Sequence, residues 1–261
     1  MILVLLGIFK FLTGTFDRRP LGSVGVAFHS RWRAELGRGL VVGAVMILLV
    51  AGLEAALGLA HFGWRTESPG RILMGGGVLG FLLLVAATNE ELVFRGYPFQ
   101  RLMDAIGPVG AIAVFSALFG LGHLANPDHT WISTLNTMLV GIPLAVAYLR
   151  TRALWMPIGI HLAWNFVQGY TLGLPVSGLD LPACVFTSVV SGPRWVTGGA
   201  YGPEGGVLAT GVILATTFYL LASRRIYITE EMKKLVSGPS RIDAVETQVI
   251  SLSLAGPGEE G

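Results

Sequence analysis

The chain has 261 residues, of which 52% are hydrophobic and only 13% are charged, whereas charged residues make up about 25% of an ordinary soluble domain. This composition excludes a typical soluble globule and predicts a protein embedded in a membrane lipid bilayer. The formal net charge of +2 provides no strong basic field, so no nucleic acid partner is expected. A single cysteine, Cys184, excludes an internal disulfide framework.

Apolar runs of about 20 residues, which is long enough to cross a bilayer, recur along the chain. Six are strong, and a seventh at the N-terminus is weaker. The strong runs cover residues 39–63, Ile72 into the Glu90 region, 108–125, 131–149, 153–172 and 205–222. The weaker run, residues 1–16, is interpreted as a short first span or an anchor. The predicted fold is therefore all-α, a polytopic transmembrane helix bundle with six strong spans and a short N-terminal segment as a seventh candidate.

Basic residues predict the orientation of the chain, because cytoplasmic loops are enriched in Lys and Arg. We assigned the loops alternately to two sides, starting from the basic loop 17–38. Fourteen Lys and Arg residues fall on that side and three on the other. This predicts an integral multi-pass protein of the plasma membrane with a cytoplasmic C-terminus. Its parts are an N-terminal apolar segment with a basic linker (1–38), a membrane domain (39–225) and a cytoplasmic tail that is disordered towards its end (226–261).

A long loop, residues 173–204, separates the last two strong runs. It contains four prolines and overlaps the glycine-rich segment GGAYGPEGG at residues 198–206. Its apolar, turn-rich composition favours a loop that packs over the outer face of the bundle as a lid or plug. A simple connector with tight turns is the alternative.

Polar side chains interrupt the apolar runs in three places, where ionisable groups are costly and usually functional. In the first, Glu91 and Arg95 are four residues apart and therefore lie on one helix face, so we expect them to pair. The neighbouring Glu90 points about 100° away from that face and lacks this partner, which suits it to act as a general base. The structural alternatives are a salt bridge without catalytic function and a surface carboxylate at a helix end.

The second place is His123, and the third pairs His161 with Asn165. The four-residue spacing of His161 and Asn165 puts both on one helix face. There, a ring N–H and an amide N–H can donate hydrogen bonds to a developing oxyanion. Structural hydrogen bonding of the histidines and polar packing between helices are the alternatives.

The depth of these groups in the membrane can be compared. If the chain reverses at Gly107 and Pro108, Glu90 lies 17 residues before the turn and His123 lies 16 residues after it. Because each helical residue rises about 1.5 Å, an antiparallel hairpin brings the two side chains to nearly equal depth. The sequence therefore predicts that Glu90, His123 and His161 converge in the bundle.

A carboxylate and two histidines around a buried cavity can activate water for attack on a peptide bond. The same set, Glu90, His123 and His161, can also bind zinc with one coordination position left open. The chain has no H-E-x-x-H zinc-protease motif. The sequence leaves both chemistries open, and no organic cofactor is expected.

Three motifs, in this order on successive apolar helices, resemble those of the CPBP family, also called the ABI domain. This family comprises CAAX prenyl endopeptidases and bacteriocin-processing or immunity proteins. The resemblance covers about residues 82–170, and it implies that Glu91 and Arg95 support the structure of the site. The motifs are Glu90-Glu91-x-x-x-Arg95, Phe119-x-x-x-His123 and His161-x-x-x-Asn165.

The resemblance implies an intramembrane protease in which Glu90 and His123 activate water, while His161 and Asn165 form the oxyanion site. Family members have been described both as metal-dependent and as glutamate proteases, so zinc stays open. The implied substrate is a membrane-associated protein or peptide, prenylated at its C-terminus or related to bacteriocin processing and immunity.

We therefore predict an endopeptidase that hydrolyses a peptide bond at the membrane. Two alternatives come from other classes of protein. One is a membrane scaffold or immunity protein without catalysis, and the other is a small transporter, which would also place Glu, His and Arg at mid-membrane.

Overall fold

The computed structural model describes residues 1–66 and 68–237, and within them the chain is mostly helical. The tail that we predict to be disordered lies largely outside these residues. The α-helices are α1 (Ile2–Leu12), α2 (Trp32–Ala56), α3 (Pro69–Arg95), α4 (Tyr97–Gly122), α5 (Trp131–Thr151), α6 (Trp155–Asn165), α7 (Arg194–Thr197), α8 (Val207–Ala222) and α9 (Glu230–Ser237). Two π-helical segments, Thr13–Asp17 and Phe166–Thr171, continue α1 and α6.

Three helical stretches are long and apolar enough to cross a membrane: Trp32–Ala56, Pro69–Gly122 and Trp131–Thr151. Helix α8 is also apolar, but it is shorter than these three stretches. The predicted run 153–172 corresponds to α6 together with its π-helical continuation. The length and composition of these helices support a membrane protein, and the count of six spans stays a prediction.

The all-α prediction overlooked two short strands, β1 (Ala60–Trp64) and β2 (Phe186–Val190), which pair antiparallel. The error arose because apolar composition does not distinguish the end of a helix from a buried strand. Gly58 provides the stop signal, since it has a φ of 71° and adopts the left-handed conformation that ends helices. The N–H of Leu59 then donates to the Glu54 carbonyl at 2.8 Å and closes the cap.

Helix α2 packs against α6 through glycines that let the two backbones approach closely. A Cβ added at Gly39 would lie 2.3 Å from the Met156 carbonyl oxygen, and one at Gly43 would lie 2.2 Å from the Ile160 carbonyl oxygen. The spacing is the Gly-x-x-x-Gly pattern that membrane helices use for close contact. These glycines position α6, which carries His161.

Two backbone breaks shape the hairpin formed by α3 and α4. The first is at Gly96, between the two helices, and the second is at Gly107, whose φ of 80° is not helical. The ring of Phe94 contacts the ring of Phe119 with centroids 5.0 Å apart, so the chain returns alongside α3. The predicted reversal near Gly107 and Pro108 is present.

The loop that follows α6 folds back over one end of the bundle. We call residues 173–206 the lid. Strand β2 of the lid pairs with β1, and a Cβ at Gly178 would lie 2.1 Å from the carbonyl oxygen of Pro127 in the turn between α4 and α5. These contacts favour the lid interpretation over a simple connector.

Replacing Gly43 with leucine is expected to lower the free energy of unfolding by about 1–3 kcal/mol, because the side chain has no room against the α6 backbone. Gly52→Leu is the matched control, since a Cβ at Gly52 on the same helix meets nothing within 4 Å. Thermal unfolding of the two purified variants measures the difference. Equal stabilities would contradict the close packing of α2 and α6.

Candidate active site

A cavity of about 490 Å³ lies between α3, α4, α5, α6 and the lid. The four predicted catalytic residues all line it: Glu90, His123, His161 and Asn165. The remaining wall is largely apolar and includes Met46, Leu83, Val140, Leu144, Ile160 and Ile213. The structure thus brings together side chains from three separate sequence motifs in one apolar pocket.

Glu91 and Arg95 form the expected ion pair, with Arg95 Nη1 3.1 Å from Glu91 Oε1. Both side chains are almost fully buried. Arg95 Nη2 also donates to the Gly141 carbonyl of α5 at 3.2 Å, and its guanidinium lies 4.8 Å from the centre of the Phe119 ring. One buried cation therefore connects α3, α4 and α5.

The same Glu91 oxygen lies 3.0 Å from Nδ1 of His161. Because a carboxylate accepts hydrogen bonds, Nδ1 of His161 carries the proton and donates it. The contact fixes the orientation of the ring, and Nε2 comes 3.8 Å from Oε2 of Glu90. Glu91 therefore positions His161, and Arg95 positions Glu91.

Glu90 differs from its neighbour in being partly open to the cavity, with 35% of its side chain exposed. Among the described residues its Oε2 has no hydrogen-bond partner. The expected divergence of the two adjacent carboxylates is therefore present. Glu91 is bound to Arg95 and His161 through Oε1, whereas Glu90 Oε2 makes no hydrogen bond to the described residues and is buried 3.8 Å from Nε2 of His161.

His123 follows directly on the end of α4. Its Nδ1 lies 2.7 Å from the carbonyl oxygen of Phe119 one turn earlier. Since a carbonyl only accepts, Nδ1 carries the proton, and in the neutral ring Nε2 keeps its lone pair. His123 is thus held in the tautomer that can accept a proton or orient a water molecule.

Asn165 is the last residue of α6 and lies one turn after His161, immediately before the π-helical segment Phe166–Thr171. Both side chains line the cavity. The helical spacing therefore puts both residues on the cavity side of this helix end, as the sequence predicts.

Sequence reasoning missed the contribution of the lid to this cavity. Ser177 and Glu204 of the lid line it, as does Asn136 of α5. Glu204 lies within the glycine-rich segment of the loop that we expected to act as a lid or plug, but sequence reasoning gave this residue no role. The signal available in the sequence was the position of Glu204, the one charged residue in the segment 198–206.

A catalytic zinc site needs three protein ligands placed around one ion. Across residues 1–66 and 68–237, no three His, Cys, Asp or Glu side chains are spaced to hold one metal ion. Glu90, His123 and His161 line the same cavity without forming such a group. The hydrogen bond from Nδ1 of His161 to Glu91 leaves Nε2 as the ring nitrogen that faces the cavity groups. The mechanism proposed below assigns each of its steps to protein side chains.

Residues 74–167 match the family model described as type II CAAX prenyl endopeptidase Rce1-like. This range contains all three motifs and confirms the resemblance to CPBP intramembrane proteases. No curated protein and no solved structure matches the chain.

Arg95→Met is expected to lower the free energy of unfolding by about 3–5 kcal/mol, because it leaves the buried Glu91 carboxylate without its cation. Lys233→Ala is the control, since its ion pair with Glu230 is exposed and such pairs contribute little. Thermal unfolding in detergent compares the two variants. A normal midpoint for Arg95→Met would show that the pair does not hold the site together.

Proposed function

We propose that the protein is an intramembrane endopeptidase of the CAAX type, which hydrolyses a peptide bond in a prenylated, membrane-associated protein or peptide. The observation that carries the proposal is the cavity lined by Glu90, His123, His161 and Asn165, where the Glu90 side chain is 35% exposed and makes no hydrogen bond through Oε2 to the described part of the chain. The match of residues 74–167 to the prenyl endopeptidase family supports the substrate class.

The proposed mechanism assigns a step to each of these side chains. Glu90, aided by Nε2 of His123, takes a proton from water as the water oxygen attacks the carbonyl carbon of the scissile bond. The resulting oxyanion accepts hydrogen bonds from the Asn165 amide and from Nε2–H of the His161 imidazolium. Glu90 then transfers the proton to the leaving nitrogen as the C–N bond breaks.

Glu91 and Arg95 act through His161 and touch neither water nor substrate in this mechanism. His161 Nδ1 is held by the Glu91 carboxylate at 3.0 Å, which favours the cationic ring in which Nε2 also donates. Arg95 balances the charge of Glu91 in a region without solvent. They are positioning residues.

We further propose six membrane crossings in a multi-pass protein of the plasma membrane, with a cytoplasmic C-terminus. The crossings are α2, α3, the second half of α4 (108–122), α5, α6 with its π-helical continuation, and α8. The support is the enrichment of Lys and Arg in alternate loops. Helix α8, with 16 residues, is short for an average bilayer and requires local thinning of the membrane.

Glu90→Gln is expected to lower the rate of cleavage by about 10²–10⁴-fold, because the amide cannot accept the proton from water. The assay uses purified protein in liposomes with a farnesylated peptide that ends in a C-a-a-X sequence. Mass spectrometry detects release of the residues after the modified cysteine. Glu230→Gln, on the exposed face of α9, is the matched control and is expected to cleave at the normal rate.

Two results would contradict the proposal. Normal cleavage by Glu90→Gln would show that Glu90 is not the base. Absence of cleavage by folded wild-type protein, across prenylated and unprenylated membrane peptides, would favour the scaffold or transporter alternative.

Cleavage by the wild-type protein is expected to continue after treatment with a zinc chelator, because the mechanism needs only protein side chains. The measurement compares the rate with chelator, without it, and after zinc is added back. Loss of activity that zinc restores would overturn the metal-free mechanism and point to Glu90, His123 and His161 as ligands.

A further inference from the structure

Glu204 is a carboxylate in the cavity that the proposed mechanism does not use. It lies near the end of the lid, three residues before α8, and burial raises the pKa of its carboxyl group. Hydrogen bonds from Ser177, Gln168 and Trp164 oppose this increase. An acidic side chain at such a site needs partners, and the structure provides several.

The side chain of Glu204 connects the two ends of the lid. The backbone N–H and the hydroxyl of Ser177, near the start of the lid, both donate to Oε1 at 2.5 and 2.6 Å. Ser177 has a φ of 49°, an unfavourable left-handed conformation for a residue with a side chain. The paired hydrogen bonds to Glu204 compensate for that strain.

The same carboxylate also connects the lid to the helix that carries the oxyanion site. Trp164 Nε1 donates to Glu204 Oε2 at 3.3 Å. Trp164 lies between His161 and Asn165 in the sequence of α6. The lid is therefore held directly against the part of α6 that the mechanism uses.

The backbone of Glu204 is held as firmly as its side chain. The buried amide of Asn136, on α5, donates to the carbonyl oxygens of Glu204 and Gly206, both at 2.8 Å. Asn136 Oδ1 in turn accepts from the Thr210 hydroxyl of α8 at 2.7 Å. This arrangement fixes the direction in which Glu204 enters the cavity.

The glycine-rich segment 198–206 provides the space that this placement requires. A Cβ at Gly202, whose φ is 106°, would lie 2.2 Å from the Pro175 carbonyl oxygen, and one at Gly206 would lie 1.9 Å from the Val196 carbonyl oxygen. Larger residues do not fit at either position. The sequence pattern GGAYGPEGG is thus explained as a closely packed support for Glu204.

We propose that Glu204 is a positioning residue that fastens the lid onto α6 and thereby completes the wall of the catalytic cavity. From its place near the C-terminal end of the lid, Glu204 binds Ser177 at the start of the lid and Trp164 on α6. Trp164 lies next to Asn165, one of the two proposed oxyanion residues. Without Glu204, the lid keeps its hydrogen bonds to the π-helical segment after α6 but loses the one to Trp164, so the cavity opens to water beside α6. The contacts of the lid define this role independently of the proposed proteolysis.

The test measures hydrogen exchange of the full-length protein in detergent. In Glu204→Ala, the amides of residues 173–192 are expected to exchange at least about tenfold faster than in wild type, because the lid loses hydrogen bonds to a charged group. Amides of α5 are expected to be unchanged. Arg194→Ala is the matched control, because it removes a different contact of the lid, an exposed one to Asp128, and is expected to leave exchange of residues 173–192 unchanged.

In Glu204→Gln, the amide oxygen can still accept from Ser177, but the amide NH2 cannot accept from the Trp164 ring. Hydrogen exchange of residues 173–192 in this variant is therefore expected to be faster than in wild type and slower than in Glu204→Ala. Trp164→Phe removes the same hydrogen bond, so residues 173–192 are expected to exchange at the same rate as in Glu204→Gln. The variant that combines both substitutions is expected to exchange no faster than either single variant, because the two changes remove one shared interaction. These variants carry the test if Glu204→Ala does not fold.

Cleavage of the farnesylated peptide provides the catalytic readout. Glu204→Ala is expected to lower kcat while the midpoint of thermal unfolding changes little, and Glu204→Gln is expected to restore part of the rate. Unchanged lid exchange in folded Glu204→Ala overturns the positioning role. Faster lid exchange in a protein whose wild type cleaves no peptide supports the role of Glu204 and overturns the proposed proteolysis.

Discussion

One carboxylate oxygen, Oε1 of Glu91, organises the centre of this protein. It lies 3.1 Å from the Arg95 guanidinium and 3.0 Å from the His161 ring. In a buried region an unpaired charge is very costly, so each of the three groups constrains the other two. The orientation of His161, and with it the direction of Nε2 towards Glu90, depends on a pair that takes no part in the proposed chemistry.

That arrangement requires α3, α4, α5 and α6 to approach closely, and small residues make the approach feasible. Gly39 and Gly43 admit the α6 backbone against α2, and Gly141 brings the α5 carbonyl within reach of Arg95. In a membrane, where lipid is as apolar as the side chains, such close packing supplies much of the association between helices. The glycines of this chain are therefore part of the framework that holds the polar groups at the correct distances.

Much of the site is predictable from sequence because helical spacing alone relates its members. The interval of four residues places Glu91 with Arg95 and His161 with Asn165, and counting from Gly107 places His123 near the depth of Glu90. The strands β1 and β2 were not predictable in this way. Helix α2 ends because Gly58 adopts a left-handed backbone conformation, and the apolar run continues past that residue without a change in composition. Glu204 was missed for a different reason. Its partners, Ser177 and Trp164, are 27 and 40 residues away, and no periodic pattern connects them.

The two adjacent glutamates show how one helix separates support from chemistry. Successive residues on a helix point about 100° apart, so Glu91 faces the ion pair while Glu90 faces the cavity. A reactive carboxylate must remain free of strong partners, yet a buried free carboxylate destabilises its surroundings. Partial exposure of the side chain eases this conflict for Glu90, and the contacts of Oε1 with Arg95 and His161 ease it for Glu91. The lid adds a third solution at Glu204, whose carboxylate borders the same cavity but accepts hydrogen bonds from Ser177 and Trp164. It can therefore shape the pocket without competing with Glu90 for the proposed role of base.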